Sequence, residues 1–471
     1  MDTKLDVLII GAGSAGLAAL REVRKHTKRF AVINHGPYGT TCARVGCMPS
    51  KSLIEAANAF HRRQSFAEFG INGGASLSVD IPKVLRGVRD LRDRFIAGPI
   101  KFTEDLGPRS IAGKARLLGP HHVLVNGQEL TADKIIVATG SRPIVPAAWT
   151  EFGDRLLTTD TLFEQERLCE RIAVIGMGAI GVEIAQALAR LGLEVVGYGQ
   201  DDFLAGLTNE AVNRTFHELL QKEFPVYPGA PAELRQTADG IEVTNGTHTV
   251  VVEQVIAALG RRPNVDDLGL ETLGVELDDQ GLPKVNPQTM QIGDLPVFLA
   301  GDANGRVALL HETADEGHIA GLNAVAGKII CFKRRTPLMV VFSDPNIAVV
   351  GKRLSELVPG TFVTGAFDFR RQGRARAALR NKGLVHVHAD KQSGLLLGAE
   401  MCAPAGEHLA HLLALAIDRS LTVYDLLHMP FYHPVVEEGL RSALRDLTAQ
   451  LPEKPASDLS SCAAFQAEAL D

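Results

Sequence analysis

Leu5-Asp-Val-Leu-Ile-Ile10-Gly11-Ala-Gly13-Ser-Ala-Gly16 is an apolar run that breaks into three glycines, and a helical pattern over Leu17 to Arg24 follows it. A short buried strand, a GxGxxG turn and a helix make a dinucleotide-binding opening. Gly11 makes the tight turn, Gly13 lets a pyrophosphate approach the backbone, and Gly16 lets helix and strand pack closely. The phosphates then sit on the helix N-terminus. A second copy begins at Arg171-Ile-Ala-Val-Ile175 and continues as Gly176-Met-Gly178-Ala-Ile-Gly181. One such motif is weak evidence; two in one chain imply two dinucleotides.

The strand after each motif should end in the residue that holds a ribose. After the first copy, Phe30 to Ile33 ends at Asn34, an amide that can bond a hydroxyl without the strength of a charged acceptor. After the second, Leu193 to Tyr198 ends at Gly199, followed by Gln200, Asp201 and Asp202. No arginine or lysine stands in that turn for a 2′-phosphate, which favours NAD over NADP. The acid expected for NAD is also missing, unless Asp201 or Asp202 replaces it.

Between the two copies lies Gly39-Thr-Thr-Cys42-Ala-Arg-Val-Gly-Cys47-Met-Pro-Ser-Lys51. Cysteines five apart on a regular helix have Cα atoms roughly 8.7 Å apart, beyond the about 7 Å a disulfide tolerates. A bridge therefore needs an irregular turn, which Gly46 and Pro49 permit. It would be strained and easily reduced. A helix N-terminus and Lys51 would favour a thiolate. On these residues alone, two ordinary buried thiols and a redox pair are equally open.

The composition sets bounds. A chain of 471 residues exceeds one hydrophobic core, so two to four domains are expected. Its net charge of −6, without a polybasic tail, argues against nucleic-acid and anionic-membrane partners. No apolar run reaches spanning length and no secretory leader is evident, so a membrane location is not expected. Six cysteines in so long a chain are no disulfide framework, which points to a reducing, cytoplasmic setting. Arg370, Arg371, Arg374, Arg376 and Arg380 form the one basic cluster and read as a solvated edge. His408 and His411 share a helix face, but no partner set suggests a metal.

Several motifs together resemble the flavin-dependent disulfide reductases of the class I pyridine nucleotide-disulfide oxidoreductases, over roughly residues 5 to 450. TCARVGCMPSK resembles their redox-active disulfide, and its Cys-x-Pro-Ser-Lys ending is similar to that of the lipoamide dehydrogenases. Ala138-Thr139-Gly140-Ser141-Arg-Pro143 resembles the second flavin contact. Ala257-Ala-Leu-Gly260-Arg-Arg-Pro-Asn264 resembles the return crossing into the flavin domain. Val297-Phe-Leu-Ala-Gly301-Asp302 resembles the segment whose aspartate binds the ribityl chain, and Phe431-Tyr-His433-Pro-Val-Val-Glu-Glu438 the acid/base loop.

The resemblance implies an α/β chain with two Rossmann-like domains and an α+β dimerisation domain. The expected boundaries are an FAD domain over 1–145, an NAD domain over 146–264, a return to the FAD domain over 265–336, an interface domain over 337–450 and a flexible tail over 451–471. It also implies FAD and NAD as cofactors, a homodimer, and a redox relay through Cys42 and Cys47. Lys51 would pair with Glu183 beside the flavin. His433, oriented by Glu438, would act as acid/base on the other subunit's cysteine pair. The implied substrate is a dihydrolipoyl group on a carrier protein. Alternatives are an NAD(P)H-dependent reductase of a small disulfide and a non-catalytic flavoprotein subunit docking on a lipoyl carrier. Phe431 and Val435 replace a histidine and a threonine usual in the family, so a more apolar substrate entrance is expected. Cys462 stands alone in the tail, unlike the paired tail cysteines of mercuric or large thioredoxin reductases.

Overall fold

The computed structural model describes residues 4–452 and 457–459, so Cys462 lies outside the described residues. The first sheet is parallel at its centre, in the order Ser110–Ala112, Phe30–Asn34, Lys4–Ile10, Gln128–Val137, Val297–Leu299. Alternate residues of its central strand serve opposite cores, as a two-residue period requires. Val7 and Ile9 face helices Ser14–His26 and Leu310–Val325. Leu8 and Ile10 face the segments around Val123 and Leu270. Burial on both faces explains why the strand reads as a continuous apolar run.

The runs Ser110 to Ala115 and His121 to Leu124, with the turn Asn126-Gly127, predict a small β excursion; in the structure it is an antiparallel pair, Ala115–Gly119 with His122–Val125. It returns through Asn126 (φ 50) and Gly127 (φ 76), a hairpin turn that needs left-handed residues at both central positions.

The second sheet is wholly parallel, in the order Val226–Tyr227, Glu194–Tyr198, Arg171–Ile175, Gln254–Ala257, Leu156–Leu157. Where the chain crosses between the two sheets, Ser141–Pro143 pairs antiparallel with Arg261–Pro263. The third sheet is antiparallel, in the order Leu338–Val341, Asn346–Gly351, Leu396–Ala403, Leu384–Asp390, Phe362–Asp368. Helices Gly406–Asp418 and Glu437–Thr448 pack on it. The chain is thus α/β with two doubly wound units and a C-terminal α+β unit. Among the described residues no helix is long and apolar enough to cross a membrane.

From Lys51 to about Arg94 the sequence reads as helical and amphipathic, with Leu53, Ile54, Ala57 and Phe60 near helical spacing, but the structure breaks that stretch into two helices, Cys47–His61 and Ile81–Glu104. Short 3₁₀ turns join them, with Gly70 (φ 73) and Gly73 (φ 88) in the left-handed region. Asp80 restarts the helix by accepting the Lys83 N–H at 3.0 Å. Part of the tail is also anchored. Asp458 accepts from Arg445 Nε at 2.6 Å and from Arg441 at 3.3 Å.

Helices Ser14–His26 and Leu310–Val325 cross with their backbones nearly touching. A Cβ on Gly317 would lie 2.2 Å from the Ala15 carbonyl oxygen, and one on Gly321 2.6 Å from that of Ala19. Gly301 packs against the same helix start, where a Cβ on it would lie 2.9 Å from Ala15 Cβ.

Candidate active site

The two glycine motifs form matching cradles. Gly11 sits at φ 113, where a Cβ would lie 2.1 Å from the Ala138 carbonyl oxygen; on Gly16 it would lie 1.9 Å from that of Gly11. In the second copy the same distances are 2.3 Å, from Gly176 to Ala258, and 1.8 Å, from Gly181 to Gly176. At Gly13 and Gly178 a Cβ would meet nothing within 4 Å. The middle glycine of each motif therefore faces open space, as approach of a pyrophosphate requires.

The strand that ends beside the first cradle carries a buried polar atom, Thr139 Oγ1, with no protein partner among the described residues. Just beyond, Gly140 (φ 72) turns the chain into the crossing ribbon. There Ser141 donates to Asp302 Oδ2 at 2.7 Å, and Thr313 donates to Oδ1 at 2.9 Å. Arg261 Nε donates to the Ser141 hydroxyl at 2.8 Å, and Gly260 (φ 92) makes the turn before it. Asp302 lies inside the 3₁₀ turn Gly301–Asn304 and does not cap it. The Gly301 N–H donates to the buried Glu316 at 2.8 Å. An open cradle, an orphaned hydroxyl and a fixed carboxylate fit a bound dinucleotide with a polyol arm.

The two substituted ribose positions differ in kind. Asn34 Oδ1 accepts the Ala12 N–H at 3.0 Å, so the amide is tied into the first glycine turn. At Gly199 a Cβ would meet Met177 Cβ at 3.3 Å and Pro228 Cα at 3.5 Å, so the position is tight for a side chain. Asp201 and Asp202 are exposed.

The cysteine pair occupies the irregular turn that its spacing demands. Cys42 lies on the short helix Thr41–Val45, Gly46 breaks it at φ −118 and ψ −115, and Cys47 begins the next helix. Both thiols are free. The Cys47 pKa is lowered to about 7, chiefly by a hydrogen bond with Cys42 and then by the Lys51 ammonium, against burial and Glu183. The Cys42 thiol is pushed well above the ordinary range by the same hydrogen bond and by burial. The pair is therefore asymmetric: one thiolate, supported by one thiol.

Lys51 Nζ donates to both oxygens of Glu183, at 2.9 and 2.7 Å, and stands 4.7 Å from the Phe342 ring centroid. Glu183 is 7% exposed, so it is no surface helix carboxylate. Its Oε1 also accepts the Phe342 N–H at 2.9 Å. Farther along the helix Ala179–Arg190, Gln186 accepts the Asp344 N–H at 2.9 Å. Arg190 then pairs with Asp344 at 3.1 Å and Glu223 at 2.7 Å, and donates to Asn58 at 2.6 Å. Sequence reasoning missed Gln186, Arg190 and the 342–344 loop. The signal was available: Glu183, Gln186 and Arg190 are the polar residues of an otherwise apolar helix, spaced one per turn along one face.

His433 lies elsewhere, on an exposed loop of the third unit, with its side chain 78% exposed. Its Nδ1 lies 3.0 Å from Glu438 Oε1, and the Val435 N–H donates to Glu438 Oε2 at 3.2 Å. The His433 hydrogen bond in particular holds the Glu438 carboxyl below its usual range. A carboxylate on Nδ1 leaves Nε2 as the working nitrogen. Of the two histidines set aside for metal, His411 Nδ1 is 2.6 Å from the Glu407 carbonyl oxygen and His408 lies 3.4 Å from the Glu407 carboxylate.

Residues 5–317 match the family model of the pyridine nucleotide-disulphide oxidoreductases, and residues 338–444 that of their dimerisation domain. A dihydrolipoyl dehydrogenase from Thermus scotoductus is 33% identical over 461 residues, covering 94% of this chain and 98% of that protein. One from Haloferax volcanii is 29% identical, covering 95% and 97%. Among solved structures, LpdA from Mycobacterium tuberculosis superposes with a TM-score of 0.81 at 24% identity, covering 94% of this chain and 99% of its own. The HOCl-induced flavoprotein disulfide reductase RclA from Escherichia coli gives 0.80 at 20%, covering 94% and 99%. The cofactors of the matched family are FAD and a nicotinamide dinucleotide, and its dimerisation domain supports a homodimer. Two open cradles, a thiol pair at a helix break and a C-terminal dimerisation unit thus converge: this chain is an oxidoreductase that belongs to the pyridine nucleotide-disulphide oxidoreductase family.

Proposed function

We propose that the protein oxidises protein-bound dihydrolipoyl groups with NAD as acceptor, in a reducing, cytoplasmic compartment. The observation that carries this reading is the asymmetric thiol pair with Lys51 and Glu183 beside it. Nε2 of the partner subunit's His433 takes a proton from the substrate dithiol, and the resulting thiolate attacks Cys42 Sγ in the oxidised pair. Cys47 leaves as the thiolate that Lys51 stabilises. The second substrate thiol then displaces Cys42, closing the lipoyl disulfide and leaving the enzyme pair reduced. Bound flavin would accept the electron pair from that dithiol and pass it to NAD as hydride. Gly11, Gly13 and Gly16 would hold the FAD phosphates and Asn34 its ribose, with Thr139, Gly140, Ser141, Gly260, Gly301 and Asp302 around the rest of the group; Gly176, Gly178 and Gly181 would receive NAD.

The same division supports domain boundaries near residues 145, 264 and 336, where the chain leaves one sheet for the next. The test is an anaerobic titration of the purified protein, first with NADH and then with dihydrolipoamide. A long-wavelength thiolate-to-flavin absorption band with both reagents is expected. A flavin reduced by dihydrolipoamide but silent to NADH would refute NAD as partner and implicate Gly199. Silence to both would favour a non-catalytic docking subunit.

A further inference from the structure

Arg370, Arg371, Arg374, Arg376 and Arg380 are all exposed. Asp368 engages Arg370 at 2.7 Å, whereas Arg371, Arg374, Arg376 and Arg380 form no ion pair among the described residues. Arg371 and Arg380 still feel Asp368 and Asp344 through space, but four guanidiniums outside any ion pair on a chain of net charge −6 give this loop an excess of positive charge.

The loop that carries them is fixed. Gln372 is 3% exposed, and its Oε1 accepts the Ala375 N–H at 2.6 Å, capping the short helix Gly373–Ala377. Asn381 closes the far end by donating to the Arg370 carbonyl at 3.0 Å. Gln372 Nε2 also donates to the Val435 carbonyl at 2.6 Å, two residues beyond His433. Phe369, fully buried, lies against Gly439, next to Glu438; a Cβ there would be 2.8 Å from its ring. The arginine loop and the histidine loop are therefore one braced unit, and Arg371 is adjacent in sequence to the residue that joins them.

We propose that this arginine loop is a docking surface for the acidic face of a carrier protein that presents its dithiol arm to His433. The inference rests on the lipoyl reading above. Charges spread along an exposed loop suit a face bearing several carboxylates, each able to take a guanidinium in bidentate fashion. Such complementarity acts mainly on the rate of encounter and is screened over about 8 Å at physiological salt. A neutral dithiol gains nothing from it.

The experiment compares, as electron donors, free dihydrolipoamide and two synthetic peptides carrying dihydrolipoyl-lysine, one flanked by glutamates and one by glutamines. For the wild-type holoenzyme at low salt, kcat/KM for the glutamate peptide should exceed that for the glutamine peptide about tenfold. The advantage should shrink as salt rises. In R371E/R374E/R376E the ratio should fall to one or invert, and in the neutral R371Q/R374Q/R376Q variant it should approach one. Equal wild-type rates on the two peptides, or an advantage that survives both variants, would overturn the docking surface while leaving the lipoyl activity intact. Reduction of oxidised glutathione that both variants lose would reassign the patch to small anions and overturn the carrier. Failure of the wild type to oxidise free dihydrolipoamide would overturn the lipoyl reading and this inference with it.

Discussion

Cys47 needs both of its neighbours to be a thiolate near neutrality. Cys42 donates the hydrogen bond and Lys51 supplies the charge, against the burial that opposes both. Ultraviolet thiolate absorbance of the reduced protein should therefore rise with pH about a midpoint near 7. Because the cation favours the charged form, Lys51→Met should move that midpoint upward, and Cys47→Ser should abolish it. A midpoint unmoved by Lys51→Met would remove Lys51 from the relay. At the other loop, His433→Gln should lower dihydrolipoamide oxidation by about 10²–10⁴-fold, the usual contribution of a general base. Flavin reduction by NADH, which needs no proton taken from a dithiol, should persist; stopped-flow absorbance separates the two half-reactions. These residues were legible in the sequence because each sits in a short local pattern, the Cys pair in its own run and His-Pro with an acid five positions on. Local sequence did not show what holds Lys51 beside the pair: its partner Glu183, whose own charge works against the Cys47 thiolate, lies far off in sequence.

The glycines and strands that place these side chains obey stricter rules than propensity does. Gly317 meets the Ala15 backbone itself, so no side-chain adjustment can admit a methyl group there. Gly317→Ala should force the two helices apart, cost about 1–3 kcal/mol as overpacking does, and loosen flavin retention through Gly301 and Asp302. A lowered denaturant midpoint with faster flavin release would show it, and an unchanged midpoint would contradict the close crossing. Strand and glycine-turn elements were readable because burial on both faces writes itself as uninterrupted apolar sequence. The long helical reading from Lys51 failed because amphipathic periodicity carries across a break whose markers, Gly70, Gly73 and Asp80, are single residues.

For the whole molecule, the cysteine pair and His433 belong to different units, and the His433 ring is open to solvent in one chain. Two copies are needed if the histidine of one is to serve the cysteines of the other. Cys47→Ser homodimers should be inactive in dithiol oxidation and His433→Gln homodimers nearly so, yet mixed dimers should regain one intact site out of two. Activity that fails to return on mixing, with heterodimers verified by differential tagging, would place the histidine's action within one chain.

Glu183 accepts hydrogen bonds from Lys51 and from the Phe342 backbone, and one apolar core runs without interruption through Leu53, Val182 and Val349. The seam between the two matched families, at residues 317–338, is therefore not a line along which the protein comes apart. A chain ending there would keep both nucleotide cradles but leave this carboxylate short of a donor and the redox helix resting on a torn core. The two matched segments form a single mechanical body, and calorimetry of the full chain should record one melting event rather than two.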